Sequence, residues 1–397
     1  MVVERDAEVL VIGAGPVGMA AALDLALRGR AVRLLEARAT RPPGSRAIGV
    51  HPPGLAVLRR LGVAEALLSA GWPVRRGRAW GAARPLGTLD LDGLPPPHPF
   101  VLTVPQSVTE RALRDALARV APDALELGAR VEGVWQDAGG VTLLGHGPDG
   151  GPRRWRADAA VACDGRDGPV RAALGVRRRG GPYPDRFAMA DLGDGEGVGL
   201  ARDEALVHLH RDGVVEGFPL PGGVRRWVVR LAPGDAPPPP DAGRALAAWV
   251  AERVARRTGL HPPPGLAGSA SVFGVERWLA DRFAVGRVAL AGDAAHVLSP
   301  IGGQGMNLGW LDAAAIAAAV DEGLAAGGAA LPAALERVAR HRRTAARRAI
   351  ARAAANTALG RPRGALAAAA RDAGLTRLLR PPWAAWARSR FTMGGLA

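Results

Sequence analysis

Short apolar runs separated by glycine-rich or polar breaks predict that the chain begins as an α/β fold. Residues 8–12 and 31–35 are apolar runs of strand length, and the segment between them has the apolar spacing of a helix that Gly29 ends. A strand, a helix and a strand in this order are typical of a parallel βαβ unit. Residues 157–163 and 288–291 also have the composition of buried strands.

A different pattern follows in the middle of the chain. Apolar and polar residues alternate within residues 187–230, and Gly213 and Gly222 supply turns, which predicts an antiparallel sheet. Residues 129–144 have the pattern of a β-hairpin that turns at residues 138–140. Helical spacing is found in four further segments, which are residues 55–61, 103–117, 243–257 and 310–356.

These patterns predict an α/β fold in which a discontinuous Rossmann-like nucleotide domain carries an inserted antiparallel-sheet domain and a C-terminal helical segment. The Trp-, Pro- and Gly-rich residues 76–100 are assigned to the insertion. We place the nucleotide domain at residues 1–75, 101–180 and 275–330, the inserted domain at 76–100 and 181–274, and the helical region at 331–397.

The composition argues against a nucleic-acid partner despite a net charge of +15. All 52 basic residues are arginine and 54 residues are glycine, which indicates a bias of the coding sequence rather than a selected basic surface. Contact with an anionic membrane surface stays open. No apolar run reaches the roughly 18–20 residues of a membrane span, and an acidic start argues against a secretory leader. The single cysteine, Cys163, suits core packing in the reducing cytoplasm.

The first candidate site is a glycine-rich turn between the first strand and the first helix. Gly13, Gly15 and Gly18 form a G-x-G-x-x-G pattern that includes Pro16, and Glu36 lies 23 positions after Gly13 at the end of the next strand. The glycines would allow a tight turn, close approach of a pyrophosphate and packing of helix on strand. The acid would accept hydrogen bonds from a ribose.

Two further candidate sites follow apolar strands. Asp164-Gly165 ends the strand at residues 157–163, where α/β folds place ligand contacts, although a capping Asp before a turn is the alternative. Gly292-Asp293 ends the strand at 288–291. It is followed by a loop with three glycines and then by an apolar helix, so backbone N–H groups would face an anionic or flat ligand. This loop contains Pro300, Gly302, Gly303, Gln304, Gly305, Met306 and Asn307.

With these three motifs in this order, the chain resembles the single-component FAD-dependent aromatic hydroxylases of the p-hydroxybenzoate hydroxylase fold. It departs from them at Gly168, where the family often has serine. The resemblance implies that FAD is the cofactor of the Rossmann-like domain and that Arg38, Arg46 and Gln106 contact it together with the three motifs. It also implies that Pro300, Gly302 and Gly303 line the reactive ring and that no metal is needed.

The resemblance further implies a monooxygenase that uses O2 and transiently bound NADPH or NADH. It would oxygenate an aromatic, polyketide-like or quinone-like molecule through a flavin C4a-hydroperoxide, as a monomer or homodimer. A helix start near Asn307 would stabilise the anionic reduced flavin. The alternative is an FAD-dependent dehydrogenase or reductase of the same fold that does not activate oxygen.

The wall of the substrate site is expected from the antiparallel sheet. Its candidates are His208, His210, Phe218 and Pro219, although core packing or a solvated strand face is at least as good an explanation for each histidine. A histidine near a phenol would help to remove its proton. His296 is interpreted as a structural member of its loop.

Overall fold

The computed structural model describes residues 5–40, 47–195 and 198–397. Ten helices are present in these ranges: α1 (Pro16–Leu27), α2 (Pro52–Arg60), α3 (Ala64–Ala70), α4 (Gln106–Val120), α5 (Pro169–Ala173), α6 (Gly243–Thr258), α7 (Gly305–Ala325), α8 (Leu331–Leu359), α9 (Ala365–Leu378) and α10 (Trp383–Phe391).

The same ranges contain twenty strands: β1 (Val9–Ile12), β2 (Val32–Glu36), β3 (Gly49–Val50), β4 (Trp72–Val74), β5 (Arg76–Trp80), β6 (Pro85–Asp90), β7 (Val101–Thr103), β8 (Leu125–Leu127), β9 (Arg130–Asp137), β10 (Gly140–His146), β11 (Pro152–Ala157), β12 (Ala159–Ala162), β13 (Arg178–Gly193), β14 (Glu204–His210), β15 (Gly213–Leu220), β16 (Val224–Arg230), β17 (Leu266–Ala280), β18 (Ala284–Val285), β19 (Val288–Leu290) and β20 (His296–Val297).

A six-stranded sheet with the order β18-β19-β12-β1-β2-β8 forms the nucleotide-domain core that the apolar runs predict. Its neighbouring strands are parallel, except for the antiparallel pair of β18 and β19 at one edge. The central strands β1, β12 and β19 are fully buried, and α1 and α7 pack together within the same core. The last residues of β1, β12 and β19 are in register, so the loops that follow them meet at one edge of the sheet.

An eight-stranded sheet with the order β20-β17-β13-β16-β15-β14-β5-β6 confirms the predicted second sheet. The strands within residues 187–230 pair antiparallel to one another, as predicted, and β14 and β5 are the pair of this sheet that is parallel. β5 comes from the earlier 76–100 segment and lies beside β14, and its antiparallel partner β6 forms the edge of the sheet. The long strands β13 and β17 run through residues 180 and 274, where we placed domain boundaries.

Successive side chains of a strand point to opposite faces of the sheet. In the eight-stranded sheet both faces carry a cluster of buried apolar side chains. One face packs against α6 through Val215, Trp227 and Val229, and we call it the α6 face. The other packs Val214 and Val228 with Ile301 of the 300–307 loop, and we call it the Ile301 face. The loop of the third motif therefore lies against this sheet.

Two small antiparallel sheets complete the strands. One contains β9, β10 and β11, which confirms the predicted hairpin and adds a third strand; the other contains β3, β7 and β4. Thr103 ends β7, so the helix expected from residue 103 begins only at Gln106. Residues 310–356, which the sequence predicts to be helical, belong to two helices, α7 and α8, separated by a turn at Gly327 and Gly328.

No helix within the described residues is long and apolar enough to cross a membrane. The C-terminal region is helical, as its Ala- and Arg-rich pattern predicts. The segment after α10 returns to the main core, where Met393 and Leu396 are completely buried. The last residues of the chain therefore pack against the nucleotide-domain core.

Candidate functional site

The glycine-rich turn after β1 has the geometry that a bound pyrophosphate needs. A side-chain carbon on Gly13 would lie 2.4 Å from the Cys163 carbonyl oxygen, and one on Gly18 would lie 1.8 Å from the Gly13 carbonyl oxygen. These two glycines are required by close backbone packing. A side-chain carbon on Gly15 would meet nothing within 4 Å. Open space therefore faces the first turn of α1, where Pro16 is the first residue.

Glu36 lies beside this turn at the end of β2 and is largely buried. Its carboxylate accepts hydrogen bonds from the backbone N–H of Ala14 at 2.9 Å and from the guanidinium of Arg38 at 2.7 Å. Burial raises the pKa of the Glu36 carboxyl, but the hydrogen bonds from Arg38 and Ala14 outweigh it and hold the pKa below its ordinary value. The carboxylate is thus charged at neutral pH and placed to accept hydrogen bonds from a sugar.

Asp164 follows β12 on the neighbouring strand. One carboxylate oxygen accepts a hydrogen bond from the backbone N–H of Val170 at 3.0 Å, while the other is buried and has no partner among the described residues. Burial raises the pKa of this carboxyl. A side-chain carbon at Gly168 would lie 2.1 Å from the carboxyl, which gives a physical reason for glycine where the family often has serine. Gly165, next to Asp164, has φ of +84°.

The third motif approaches from β19. Gly292 is held by packing against Val17 of α1, and the exposed side chain of Asp293 follows it. The surrounding protein replaces part of the water around Asp293 and raises the pKa of its carboxyl. The indole N–H of Trp310 donates to the Pro16 carbonyl at 3.1 Å. This bond joins the second turn of α7 to the first residue of α1, so the N-terminal parts of both helices lie at one edge of the sheet.

Asn307 is completely buried and fixes the loop that precedes α7. Its amide NH2 donates to the carbonyls of Gly49 and Gly303 at 2.9 Å each, and its carbonyl accepts the backbone N–H of His51 at 2.8 Å. The side chain is thus committed to holding the loop. The helix begins at Gly305, two residues before the expected start, so the free N–H groups lie at Gly305 and Met306.

His51 is a residue of this site that the sequence patterns did not single out. Its Nε2 lies 2.9 Å from the Gly302 carbonyl, and since a carbonyl only accepts, Nε2 carries the hydrogen. Burial lowers the pKa of His51 to about 4, so the ring is neutral at neutral pH. The sequence feature that could have drawn attention to His51 is Pro52, because proline at the first position of a helix marks the preceding residue as the helix start.

A buried hydrogen-bond network around Asp312 lies next to the Gly292-Asp293 turn. Asp312 accepts from Nε2 of His296 at 2.5 Å and from Nε of Arg342 at 2.9 Å, and Arg342 also donates to the Leu396 carbonyl at 2.8 Å. The backbone N–H of Gly292 lies 3.4 Å from the same Asp312 carboxylate. The position of His296 agrees with a structural role. Burial raises the pKa of the Cys163 thiol, as expected for a core cysteine.

The remaining candidates of the cofactor site lie nearby or outside the described residues. Gln106 is the first residue of α4 and its side chain donates to Glu110 at 2.7 Å. Gln304 is buried, and Met306 packs against the main core. Pro300 is exposed next to the buried Ile301. Arg46 lies outside the described residues.

The four candidates for the substrate wall do not share one face of the eight-stranded sheet. His208 stacks on Trp80 and pairs across the strands with Val215, so it lies on the α6 face. His210 is two residues further along β14, so it points to the same α6 face, near the arginines at the end of α6. The structure therefore does not bring the two histidines to the 300–303 loop. Pro219 also falls on the α6 face, and Phe218 alone of the four falls on the Ile301 face.

The residues present fit an FAD. The open space at Gly15, the carboxylate of Glu36, the unpartnered oxygen of Asp164 and the exposed Asp293 lie along the edge where β1, β12 and β19 end. This arrangement provides N–H groups for a pyrophosphate and acceptors for ribose and ribityl hydroxyls. Within the described residues no group of three or more His, Cys, Asp or Glu could hold a metal ion.

Comparison with known proteins supports the same cofactor. A family model described as an FAD binding domain matches residues 6–353. The chain is 34% identical over 335 residues to the 12-dehydrotetracycline 5-monooxygenase/anhydrotetracycline 6-monooxygenase of Streptomyces rimosus, covering 77% of this chain and 61% of that protein. It is 34% identical over 316 residues to the rifampicin monooxygenase of Streptomyces venezuelae, covering 77% and 62%.

Among solved structures, the p-nitrophenol 4-monooxygenase of Pseudomonas putida aligns over 99% of both chains with a TM-score of 0.86 and 23% identity, a likeness of fold. This chain therefore belongs to the FAD-binding family defined by the matching model, and its resemblance to the flavin-dependent aromatic hydroxylases is confirmed. The chain spans about three fifths of the length of the two curated relatives.

Proposed function

We propose that this protein is an FAD-dependent monooxygenase that inserts one oxygen atom of O2 into an aromatic or polyketide-like small molecule, with NADPH or NADH as the reductant. The observation that carries the proposal is the loop at residues 300–303, which joins the helix N-terminus of the cofactor edge to the apolar Ile301 face of the eight-stranded sheet. A flat ring between these two surfaces would meet backbone N–H groups on one side and apolar side chains on the other.

FAD, when bound, supplies the redox chemistry by taking electrons from the nicotinamide and activating O2. The chain's own contribution is position and electrostatics. The free N–H groups at Gly305 and Met306 and the dipole of α7 stabilise negative charge on a ring placed before them. Asn307 and His51 hold the carbonyls of Gly303 and Gly302, so the loop keeps its shape without reorganising during the reaction.

In this proposal the pyrophosphate lies at Gly13, Gly15 and Pro16, with Gly18 supporting the turn, and the ribose lies at Glu36. Asp164, Gly165, Gly292 and Asp293 contact the middle of the cofactor. Arg38, Arg46 and Gln106 flank it, and Pro300, Gly302, Gly303, Gln304, Gly305, Met306 and Asn307 form the loop beside the reactive ring. The burial of apolar side chains on the Ile301 face supports an aromatic substrate, because such a face excludes water from the ring.

The proposal also includes the discontinuous domain division given above, a location in the cytoplasm, and a monomer or homodimer as the working form. The names of both curated relatives describe monooxygenases, which favours oxygen insertion over a dehydrogenase of the same fold.

The test is oxygen insertion by the purified flavin-loaded protein. We define an aromatic panel of anhydrotetracycline, rifampicin and p-nitrophenol, each supplied with NADPH or NADH under 18O2. The expected result is faster nicotinamide oxidation with at least one compound and a product heavier by one 18O. Nicotinamide oxidation that yields only hydrogen peroxide with every compound, or reduction of a compound without oxygen, would contradict the proposal.

A further inference from the structure

Glu216 stands apart from the other buried acids of the described residues. Each of the others accepts at least one hydrogen bond from a named N–H donor: Asp24, Glu36, Glu110, Asp185, Asp191, Glu204 and Asp312. Glu216 is 5% exposed, and no hydrogen bond or ion pair to its carboxyl is present within those residues. A buried carboxyl without a partner is costly, so its retention calls for a ligand or a functional reason.

The strand register places this carboxyl in the middle of the Ile301 face. On β15 the side chains of Val214 and Glu216 point to the same side, because they are two residues apart. Glu216 is opposite Val207 of β14 and opposite Val228 of β16, and both valines pack on the Ile301 face. The carboxyl is therefore surrounded by apolar side chains on the face that meets the loop beside the flavin ring.

We propose that Glu216 is the substrate-facing base of this protein and that its carboxylate accepts the proton of a hydroxyl group on an aromatic ring held against the Ile301 face. The inference rests on the proposed function and narrows its substrates to phenols. The phenolic O–H bond breaks, the proton bonds to a Glu216 oxygen, and the electron pair stays on the phenolic oxygen. The ring gains electron density for oxygenation by the O2 and nicotinamide that the proposed function supplies.

The surroundings of Glu216 suit such a base. Burial raises the pKa of its carboxyl to about 7, so near neutral pH it exchanges a proton readily. The charged groups on its face, or packed against it from the turn after α8 and from α9, are held in ion pairs: Asp191 with Arg226, Asp185 with Arg230 and Arg361, and Arg371 with Asp372. Tyr183 lies on the same face between Arg277 and Arg361.

The titration of these neighbours does not coincide with that of Glu216. Burial raises the pKa values of Asp185 and Asp191, but hydrogen bonds from their arginines outweigh it and hold both values below the ordinary range. Burial lowers the pKa of His208 to about 4 and lowers that of His210, and both histidines lie on the opposite face. A change of rate near pH 7 that disappears with Glu216 is therefore assignable to this carboxyl.

The experiment compares wild type with Glu216→Gln, which keeps size and polarity but cannot take a proton, and with Glu216→Asp. Glu252→Gln is the matched control, because Glu252 is an exposed side chain of α6 behind the same sheet. For the panel's phenols, we expect kcat of Glu216→Gln to fall about 100-fold at pH 8. We expect FAD content to be unchanged and KM to change much less than kcat. Glu216→Asp should recover part of the rate.

The pH profile separates a base from a structural residue. The kcat of wild type should fall as the pH drops through about 7, since the protonated carboxyl cannot accept a proton. The kcat of Glu216→Gln should be low at every pH and should not fall in this way. An O-methylated phenol should be turned over equally slowly by both proteins. If wild type hydroxylates a phenol and Glu216→Gln equals it in kcat and pH profile, the assignment of Glu216 is wrong and the proposed function stands. If wild type oxygenates nothing, the proposed function fails and this inference falls with it.

Discussion

Replacing Glu216 with glutamine should stabilise the protein, and increasingly so as the pH rises. The pKa of this carboxyl is about 7 in the folded chain against an ordinary value of 4.5, because burial disfavours the charged form. Between pH 4.5 and about pH 7, Glu216 therefore keeps its proton in the folded state, whereas it has lost the proton in the unfolded state. Each unit of pKa is worth about 1.4 kcal/mol, so the carboxylate destabilises the fold by about 3 kcal/mol above pH 7.

The effect of pH on stability is opposite in sign to that of an acid in an ion pair, whose carboxylate stabilises the folded state. The penalty is absent below about pH 4.5, grows as the pH rises, and is complete above about pH 7. Urea unfolding of wild type and Glu216→Gln, followed by tryptophan fluorescence at pH 5, 6, 7 and 8, measures the difference directly, and titrations elsewhere in the chain cancel. Glu252→Gln should show no such trend. A stability difference for Glu216→Gln that stays flat with pH would refute both the raised pKa and the absence of a partner.

The remaining predictions concern the cofactor edge and the network behind it. Gly15→Ala should fold like wild type but purify with less FAD, because the added carbon occupies the open space where the pyrophosphate would lie. Gly18→Ala should lose about 1–3 kcal/mol of stability, because its added carbon clashes with the Gly13 carbonyl. Equal stability of the two variants in urea unfolding would contradict this difference. Asp293→Ala should purify with little FAD by absorbance, and full occupancy would remove its assigned role. Asp312→Leu should lose about 3–5 kcal/mol in urea unfolding, because it leaves the Arg342 guanidinium buried and unpaired; a loss below 1 kcal/mol would count against the network.

The sequence was sufficient for the parts of the site that depend on local chain geometry. A glycine-rich turn after an apolar strand, an acid at the end of the next strand and a glycine loop before a helix each have a readable spacing. Parallel strands bring their carboxyl ends to one edge, so Gly15, Asp164 and Asp293 could be expected near one another. The start of α7 was placed two residues late, because Gln304 makes no side-chain cap that would mark it.

The sequence was insufficient where the outcome depends on contacts between distant segments. His51 contacts the Gly302 carbonyl across 251 positions, and nothing local indicates that pairing. Alternation in β14 shows that His208 and Leu209 face opposite ways, but it does not show which of them meets α6. Glu216 gave no signal in the sequence, since its missing partner is visible only when the neighbouring strands are in place.

In the proposed reaction, the cofactor edge and the Ile301 face together direct oxygen into an aromatic ring. The most direct measurement is the mass of the product that the flavin-loaded protein forms from a phenol of the panel with NADPH or NADH under 18O2. We expect one added 18O per product molecule and about one nicotinamide oxidised per product. Unchanged phenol with stoichiometric hydrogen peroxide, or a product whose new oxygen comes from water, would contradict it.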